Sequence, residues 1–270
     1  MIVQNNEKKR IVLTNDDGIE SSYLLALYTA LLPEYECIVV APAEERSATS
    51  HAISLNRHIE VEPFVYEGKE IGYRVWGTPA DCVKLALCEL LSEKPDLIVS
   101  GVNRGANVGV SVYYSGTVSA AREGALVGIP SLALSIAAGT YDLDYVCRQS
   151  KQFIDAMMRQ ELPRGIIVNI NFPACMPDSV KGIKHTCQAA SYFKEWFDKH
   201  ERDACRVSYL LKGDMQVHDE EEENDVRALE EQYISITPLK IDLTDYNALS
   251  EISQVFSLRS AGTAGNYEKQ

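Results

Sequence analysis

Ile11-Val12-Leu13-Thr14-Asn15-Asp16-Asp17-Gly18 runs from four residues of strand character straight into two adjacent carboxylates and a glycine. A helical pattern follows at once, with Tyr23, Leu24, Leu27, Tyr28 and Leu31 on one face. The carboxylates therefore belong to a strand-to-helix turn at the carboxyl end of a first strand. In open α/β sheets that edge is where ligands bind. Two clustered anionic oxygens there suit a hard divalent cation, Mg²⁺ or Mn²⁺. Asn-Asp-Asp-Gly is also a good turn sequence in its own right. The other loops that reach the same edge decide between the two readings.

Composition narrows the field. A chain of 270 residues, 46% of them hydrophobic, is long enough for one large α/β domain with or without an extension. No apolar run is long enough to span a bilayer, and Met1 to Arg10 is polar and lacks an apolar signal region. Seven cysteines with no CxxC pair read neither as a disulfide framework nor as a zinc site. Cys82 and Cys88 fall in a helical pattern and are expected as core thiols. The expected location is the cytoplasm, with no membrane partner. A net charge of −13 speaks against nucleic acid as a partner. The same charge repels an anionic substrate, so any attraction for phosphate must be local.

Further along, Cys37 to Ala41 is a second buried strand, and the loop Ala43 to Ser50 leaves its carboxyl end. Alternating segments at His51–Leu55, Ile59–Val65 and Ile71–Trp76 predict an antiparallel excursion. Thr78 and Pro79 suit the cap and first position of a helix, and capping accounts for Thr78 and Asp81 better than catalysis does. Pro95 to Ser100 is a third strand. After it comes Gly101-Val102-Asn103-Arg104-Gly105-Ala106-Asn107-Val108-Gly109, which is neither a GxGxxG fingerprint nor a P-loop. Glycines at this density let backbone approach a ligand, and asparagine carbonyls are competent ligands for a hard cation. Ser115 and Thr117 then open a small-residue helix whose first turn offers free N–H groups and two hydroxyls, an anion site by peptide geometry or an ordinary cap.

The remainder predicts strands at Ser131–Ser135, Ile166–Ile170, Val180–Cys187 and Tyr233–Leu239. Helices are expected at Leu143–Arg159 and Asn247–Ser257, with one or two helical turns over Asp225–Glu231. The aromatic segment Ala189–Gly213 is either a cover on the core or an arm onto another subunit. Asp219–Asp225 reads as a solvated acidic loop, and Ala261–Gln270 as a disordered tail. The fold class is α/β, a Rossmann-like three-layer sandwich with a mostly parallel sheet and a smaller C-terminal extension or arm. Residues 11–187 form the catalytic core and 188–258 the extension, with flexible tails at 1–10 and 261–270.

In a parallel sheet the loops after strands one, two and three open on one edge. Asp16, Asp17, Ser47 and Asn103 can then surround one divalent cation, with the Ser115–Thr117 helix end one loop away. A metal that polarises a phosphoryl oxygen and acidifies water, beside an anion-binding helix end, is the minimal equipment for hydrolysing a phosphate monoester.

With TNDDGI (14–19), VVAPAEERS (39–47), GTPADCV (77–83), PDLIVSGVNRGANVG (95–109), YYSGTVSAAREG (113–124), GIPSLALS (128–135), NINFP (169–173) and DVRALEEQYISITPL (225–239), the sequence resembles the SurE survival-protein family of nucleotidases. The match is dense from 11 to 135 and patchier beyond. The resemblance implies metal ligation by Asp16, Asp17, Ser47 and Asn103, with Asp16 and Asp17 catalytic. It implies phosphate binding by Asn107, Ser115, Gly116 and Thr117. It implies hydrolysis of nucleoside 5′- and 3′-monophosphates, in some members exopolyphosphate, with one divalent ion per subunit. Homodimers or homotetramers built through exchanged C-terminal segments are expected. Ala48 departs from the glycine common after that serine. A different kind of reading is a non-catalytic nucleotide or phosphate sensor using the same pocket, which release of phosphate from AMP with Mn²⁺ distinguishes. A phosphatase with an aspartyl nucleophile fits less well, since its aspartates are spaced Asp-x-Asp.

Overall fold

A computed structural model describes residues 8–203, 206–218 and 223–256. The expected tail at 261–270 and most of the N-terminal tail lie outside them, as do Asp219–Glu222. Strands among the described residues are β1 (Arg10–Thr14), β2 (Glu36–Pro42), β3 (Val61–Tyr66), β4 (Lys69–Val75), β5 (Leu97–Arg104), β6 (Ser131–Ile136), β7 (Ile166–Phe172), β8 (Gly182–His185), β9 (Ser191–Asp203), β10 (Arg206–Val217) and β11 (Tyr233–Lys240). All but β9 and β10 join one sheet, in the order β3-β4-β2-β1-β5-β6-β7-β11-β8. From β4 to β7 every neighbouring pair is parallel. β3 is antiparallel to β4, and β11 is antiparallel to β7.

Side-chain alternation along each strand divides the core between two helix layers. Ile11 and Leu13 pack on one face with Leu24, Leu27 and Leu31 of α1 (Ser22–Leu31). Val146 and Ile154, from the helix over Leu143–Arg159, join them there. Val12, Val40 and Ile98 pack on the other face with Cys82 and Val83 of α2 (Pro79–Leu85) and Ala120 of α3 (Gly116–Leu126). With α4 (Leu143–Arg159) beside α1, the result is a three-layer α/β sandwich. At roughly 25 cal/mol per Å² of apolar area buried, these two clusters supply its main driving force.

α2 begins as its sequence requires. Asp81 donates its N–H to the Thr78 hydroxyl at 3.1 Å, and Thr78 donates its N–H back to the Asp81 carboxylate at 2.9 Å. Beyond Leu85 the helix widens into a π-helical turn, Ala86–Leu90, which leaves Cys88 exposed rather than in the core. His51–Leu55 is not a strand. Ile53 and Leu55 are exposed, and the segment is held by Ser54 N–H donating to Asp81 and the Thr78 hydroxyl donating to Ala52. β4 joins the main sheet beside β2, so within that excursion only β3 departs from the parallel order.

β9 and β10 form a separate antiparallel hairpin. α5 (Asp225–Glu230) follows it, capped by Asn224. Asp225 is not in a solvated loop. It is fully buried and accepts from the Gly109 N–H at 3.0 Å and the Ala189 N–H at 2.9 Å. The last helix, α6 (Leu249–Val255), leaves Leu249, Ile252 and Val255 exposed.

Candidate active site

The carboxyl ends of β1, β2 and β5 and the start of α3 meet at one cleft of about 460 Å³. Asp16, Ser47, Asn103, Asn107 and Ser115 all line it. Asp17 is half-buried and is not among the residues lining the cleft, but its carboxylate accepts at 3.3 Å from the N–H of Arg104, which does line it. Gly116 and Thr117 stand behind Asp16 instead of on the cleft wall. A Cβ on Gly116 would come within 2.8 Å of the Asp16 side chain, so only glycine lets the helix end approach so closely. Thr117 donates its hydroxyl to the Asp16 carboxylate.

Backbone ties hold the loops together. Arg46 donates its N–H to the Asp16 carbonyl at 2.7 Å, and Ser50 donates its N–H to the Tyr114 carbonyl at 3.0 Å. Ser47 donates its hydroxyl to Glu45 at 2.6 Å, and Asn103 donates its side-chain N–H to the Gly105 carbonyl at 2.7 Å, a bond that does not use the Asn103 amide oxygen. Ala48 adopts φ 54°, the left-handed region that a glycine enters without strain.

The electrostatics suit a cation. Asp16 is 4% exposed, and burial pushes its pKa up despite hydrogen bonds from Thr117 and the helix N–H groups. Asp17 is pushed up to about 6, first by burial and then by the neighbouring Asp16. A positive ion between two desolvated carboxylates reverses both effects. The buried side-chain oxygens of Thr14 and Asn15 at the end of β1, and of Ser100 beside Thr14 on β5, have no hydrogen-bond partner among the described residues. The donor set is all oxygen, as Mg²⁺ and Mn²⁺ prefer. No group of three His, Cys, Asp or Glu side chains suited to a metal occurs among the described residues.

Ser115 accepts from the Val118 N–H at 3.0 Å and so caps α3 while facing the cleft. Asn107 is buried and donates its side-chain N–H to Ser135 at 2.8 Å. Two asparagines of the NINFP stretch, to which the sequence assigned no role, fix its backbone. Asn169 and Asn171 donate to the Asn107 carbonyl at 2.8 and 3.2 Å, and the Asn171 amide oxygen accepts the Asn107 N–H at 2.8 Å. Their signal was the polar interruption of an otherwise apolar strand, Ile166–Phe172.

Nothing in the sequence signalled that the hairpin reaches the site. Phe193 and Glu195 of β9 and Leu211 and Gly213 of β10 line the same cleft. The hairpin's root is tied to the glycine-asparagine loop, with Val110 donating its N–H to the Ser191 hydroxyl at 2.8 Å. Gly109, at φ 50°, leaves room for that contact, since a Cβ there would meet the hydroxyl at 2.3 Å.

A family model described as Survival protein SurE matches residues 11–195. The 5′-nucleotidase SurE of Syntrophus aciditrophicus (strain SB) is 44% identical over 253 residues, covering 92% of this chain and 94% of that protein. The 5′-nucleotidase SurE of Syntrophobacter fumaroxidans (strain DSM 10017 / MPOB) is 41% identical over 246 residues, covering 91% and 98%. The crystal structure of the SurE protein from Aquifex aeolicus superimposes with a TM-score of 0.79 at 32% identity, covering 91% of this chain and 99% of that one.

Proposed function

This chain belongs to the SurE survival-protein family, and from that premise we propose that it is a metal-dependent phosphomonoesterase that hydrolyses nucleoside 5′-monophosphates to nucleoside and phosphate. The observation that carries this reading is the meeting of Asp16, Ser47, Asn103 and the start of α3 around a single cleft. Asp16, Asp17, Ser47 and Asn103 would hold one Mg²⁺ or Mn²⁺ per subunit. Once bound, such an ion supplies Lewis acidity to the phosphoryl group and lowers the pKa of water beside it.

The chain's own groups do the rest. Asn107 and Ser115 orient the phosphate at the start of α3, where helix geometry favours an anion, and Gly116, expected to bind phosphate, acts instead by letting that helix end approach Asp16. Thr117 contributes through Asp16, whose carboxylate it fixes. Asn169 and Asn171 hold the Asn107 loop in place. Nucleoside 3′-monophosphates are accepted as well, since the polar end of the cleft grips phosphate and makes few demands on the sugar.

The active form is a homodimer or homotetramer in the cytoplasm. Exposed Leu249, Ile252 and Val255 on α6 support association. No helix among the described residues is long and apolar enough to cross a membrane. Light scattering on the eluting protein checks the oligomer, and a mass of one 30.0 kDa chain removes it.

Phosphate release from AMP by the purified protein, with and without Mn²⁺, tests the main reading. Metal-dependent release is expected. Tight AMP binding without release would establish the sensor instead.

A further inference from the structure

The cleft is chemically lopsided. One end holds the carboxylates, Ser47, Asn103 and the capped start of α3. The other end carries the rings of Tyr114 and Phe193 and the side chain of Leu211, with Glu195 and Lys212 of the hairpin beside them. The Tyr114 and Phe193 ring centroids lie 6.1 Å apart with the planes tilted by 44°, so the rings converge without stacking face to face. Tyr114 is 50% exposed. Two converging aromatic rings left open at the mouth of a polar cleft are a recognition surface for a flat, partly apolar group.

Both rings are fixed relative to the phosphate end. Tyr114 immediately precedes Ser115, and its carbonyl accepts the Ser50 N–H. Phe193 lies two residues beyond Ser191, whose hydroxyl is bound by Val110. Hairpin register puts Phe193, Glu195 and Leu211 on one face, because Glu195 opposes Gly213 and Phe197 opposes Leu211. Lys212, which also lines the cleft, alternates to the opposite face of the hairpin and pairs with Asp198 at 2.6 Å.

We propose that Tyr114 and Phe193 form the seat for the nucleotide base, with the hairpin supplying one wall of the substrate site. The proposal rests on the phosphomonoesterase reading above and adds the part of the protein that recognises the nucleoside. A base stacked there leaves the 5′-phosphate directed at Ser115 and Asp16. Selection by stacking is tolerant of base identity, because every base has a π-face.

The test compares AMP with ribose 5-phosphate, which keeps the phosphate and lacks the base. In the wild type, AMP should be the better substrate by kcat/KM. Phe193→Ala and Tyr114→Ala should each lower kcat/KM for AMP about tenfold, mainly through KM, the size expected for one lost stacking partner. Ribose 5-phosphate turnover should stay near the wild-type value, which also shows that the protein is folded. Phe193→Trp should retain AMP efficiency. Equal losses on both substrates would mean that the rings only support the site, and no loss on either would mean that they do not meet the base; each result overturns the seat. If the wild type hydrolyses neither compound, the phosphomonoesterase reading fails on its own. The seat is then judged by calorimetric titration with adenosine, which Phe193→Ala should weaken; unchanged binding, or none to the wild type, overturns it.

Discussion

Thr117 donates its hydroxyl to the carboxylate of Asp16 across 101 positions of sequence. The contact joins the start of α3 to the end of β1, and so ties the side proposed for the phosphate to the side proposed for the metal. A threonine that sequence alone assigns to phosphate thus acts first on a carboxylate.

Asp16→Asn should abolish turnover without unfolding the protein. The wild-type carboxylate is buried, and burial raises its pKa, so replacing it with a neutral amide removes a desolvated charge. The melting temperature of the metal-free variant should equal or exceed that of the wild type. Mn²⁺ at about 100 times its Kd should stabilise the wild type by about 2.7 kcal/mol and the variant far less. Calorimetric melts with and without Mn²⁺ measure both effects. A variant that still turns over and still gains stability from Mn²⁺ would show that Asp16 does not hold the ion.

Two capping residues provide a matched control. Thr78 caps α2 away from the cleft, and Ser115 caps α3 facing it. Replacing either with alanine should cost about 1 kcal/mol of stability. Only Ser115→Ala should also cost on the order of 10²-fold in kcat, as the loss of an anion donor does. Equal rates for the two variants would reduce Ser115 to a cap.

The sequence disclosed what is locally encoded. β1 and its carboxylate turn, the Thr78-Pro79 start of α2 and the span of α4 could be read because apolar period and cap chemistry act within a few residues. His51–Leu55 misled because its alternation has no strand partner, and Asp81 and Thr78 claim its backbone instead. Asp225 misled because its neighbours are acidic, whereas its partners, Gly109 and Ala189, lie 116 and 36 positions away. Phe193 was legible as an aromatic residue but not as a cleft wall, since tertiary ties at Ser191 and Asp225 set that position.

Glu123 should make acid stability diagnostic. It is buried in α3 and meets His51 Nε2 at 2.6 Å and Lys84 Nζ at 2.8 Å. Burial alone would raise its pKa, but the hydrogen bonds from His51 and Lys84 outweigh burial and hold it below its ordinary 4.5. The folded state therefore favours the charged form. Its contribution is complete above the ordinary value and disappears as pH falls through the lower folded value. Glu123→Gln should lower stability at neutral pH by about 1–3 kcal/mol. That deficit relative to wild type should shrink under acid, because Asp16 and Asp17 titrate alike in both proteins. Urea midpoints from about pH 7 to about pH 3 read the difference. A deficit constant across that range would exclude the carboxylate charge as its source.

The cleft should prefer AMP to ATP. A triphosphate needs cationic groups beyond the metal and one helix end, as a P-loop lysine provides. The two cationic side chains along this cleft are engaged elsewhere. Arg104 lies over the Tyr23 ring at 5.6 Å, and Lys212 pairs with Asp198 on the far face of the hairpin. Glu195 of β9, an acidic side chain, also lines the cleft. Every added phosphate charge meets that carboxylate locally and the net charge of −13 globally, although salt screens the global part beyond about 8 Å. The local part decides the matter, since unit charges a few Å apart near a surface interact by a few kcal/mol before water and salt reduce it. Efficiency on AMP should therefore exceed that on ATP by on the order of tenfold or more. Glu195→Gln should narrow the gap by improving ATP and leaving AMP nearly unchanged. Measuring kcat/KM for both nucleotides at fixed free Mn²⁺ separates this from chelation by ATP. Equal efficiency in the wild type would mean that the cleft tolerates the longer anion and that Glu195 does not oppose it.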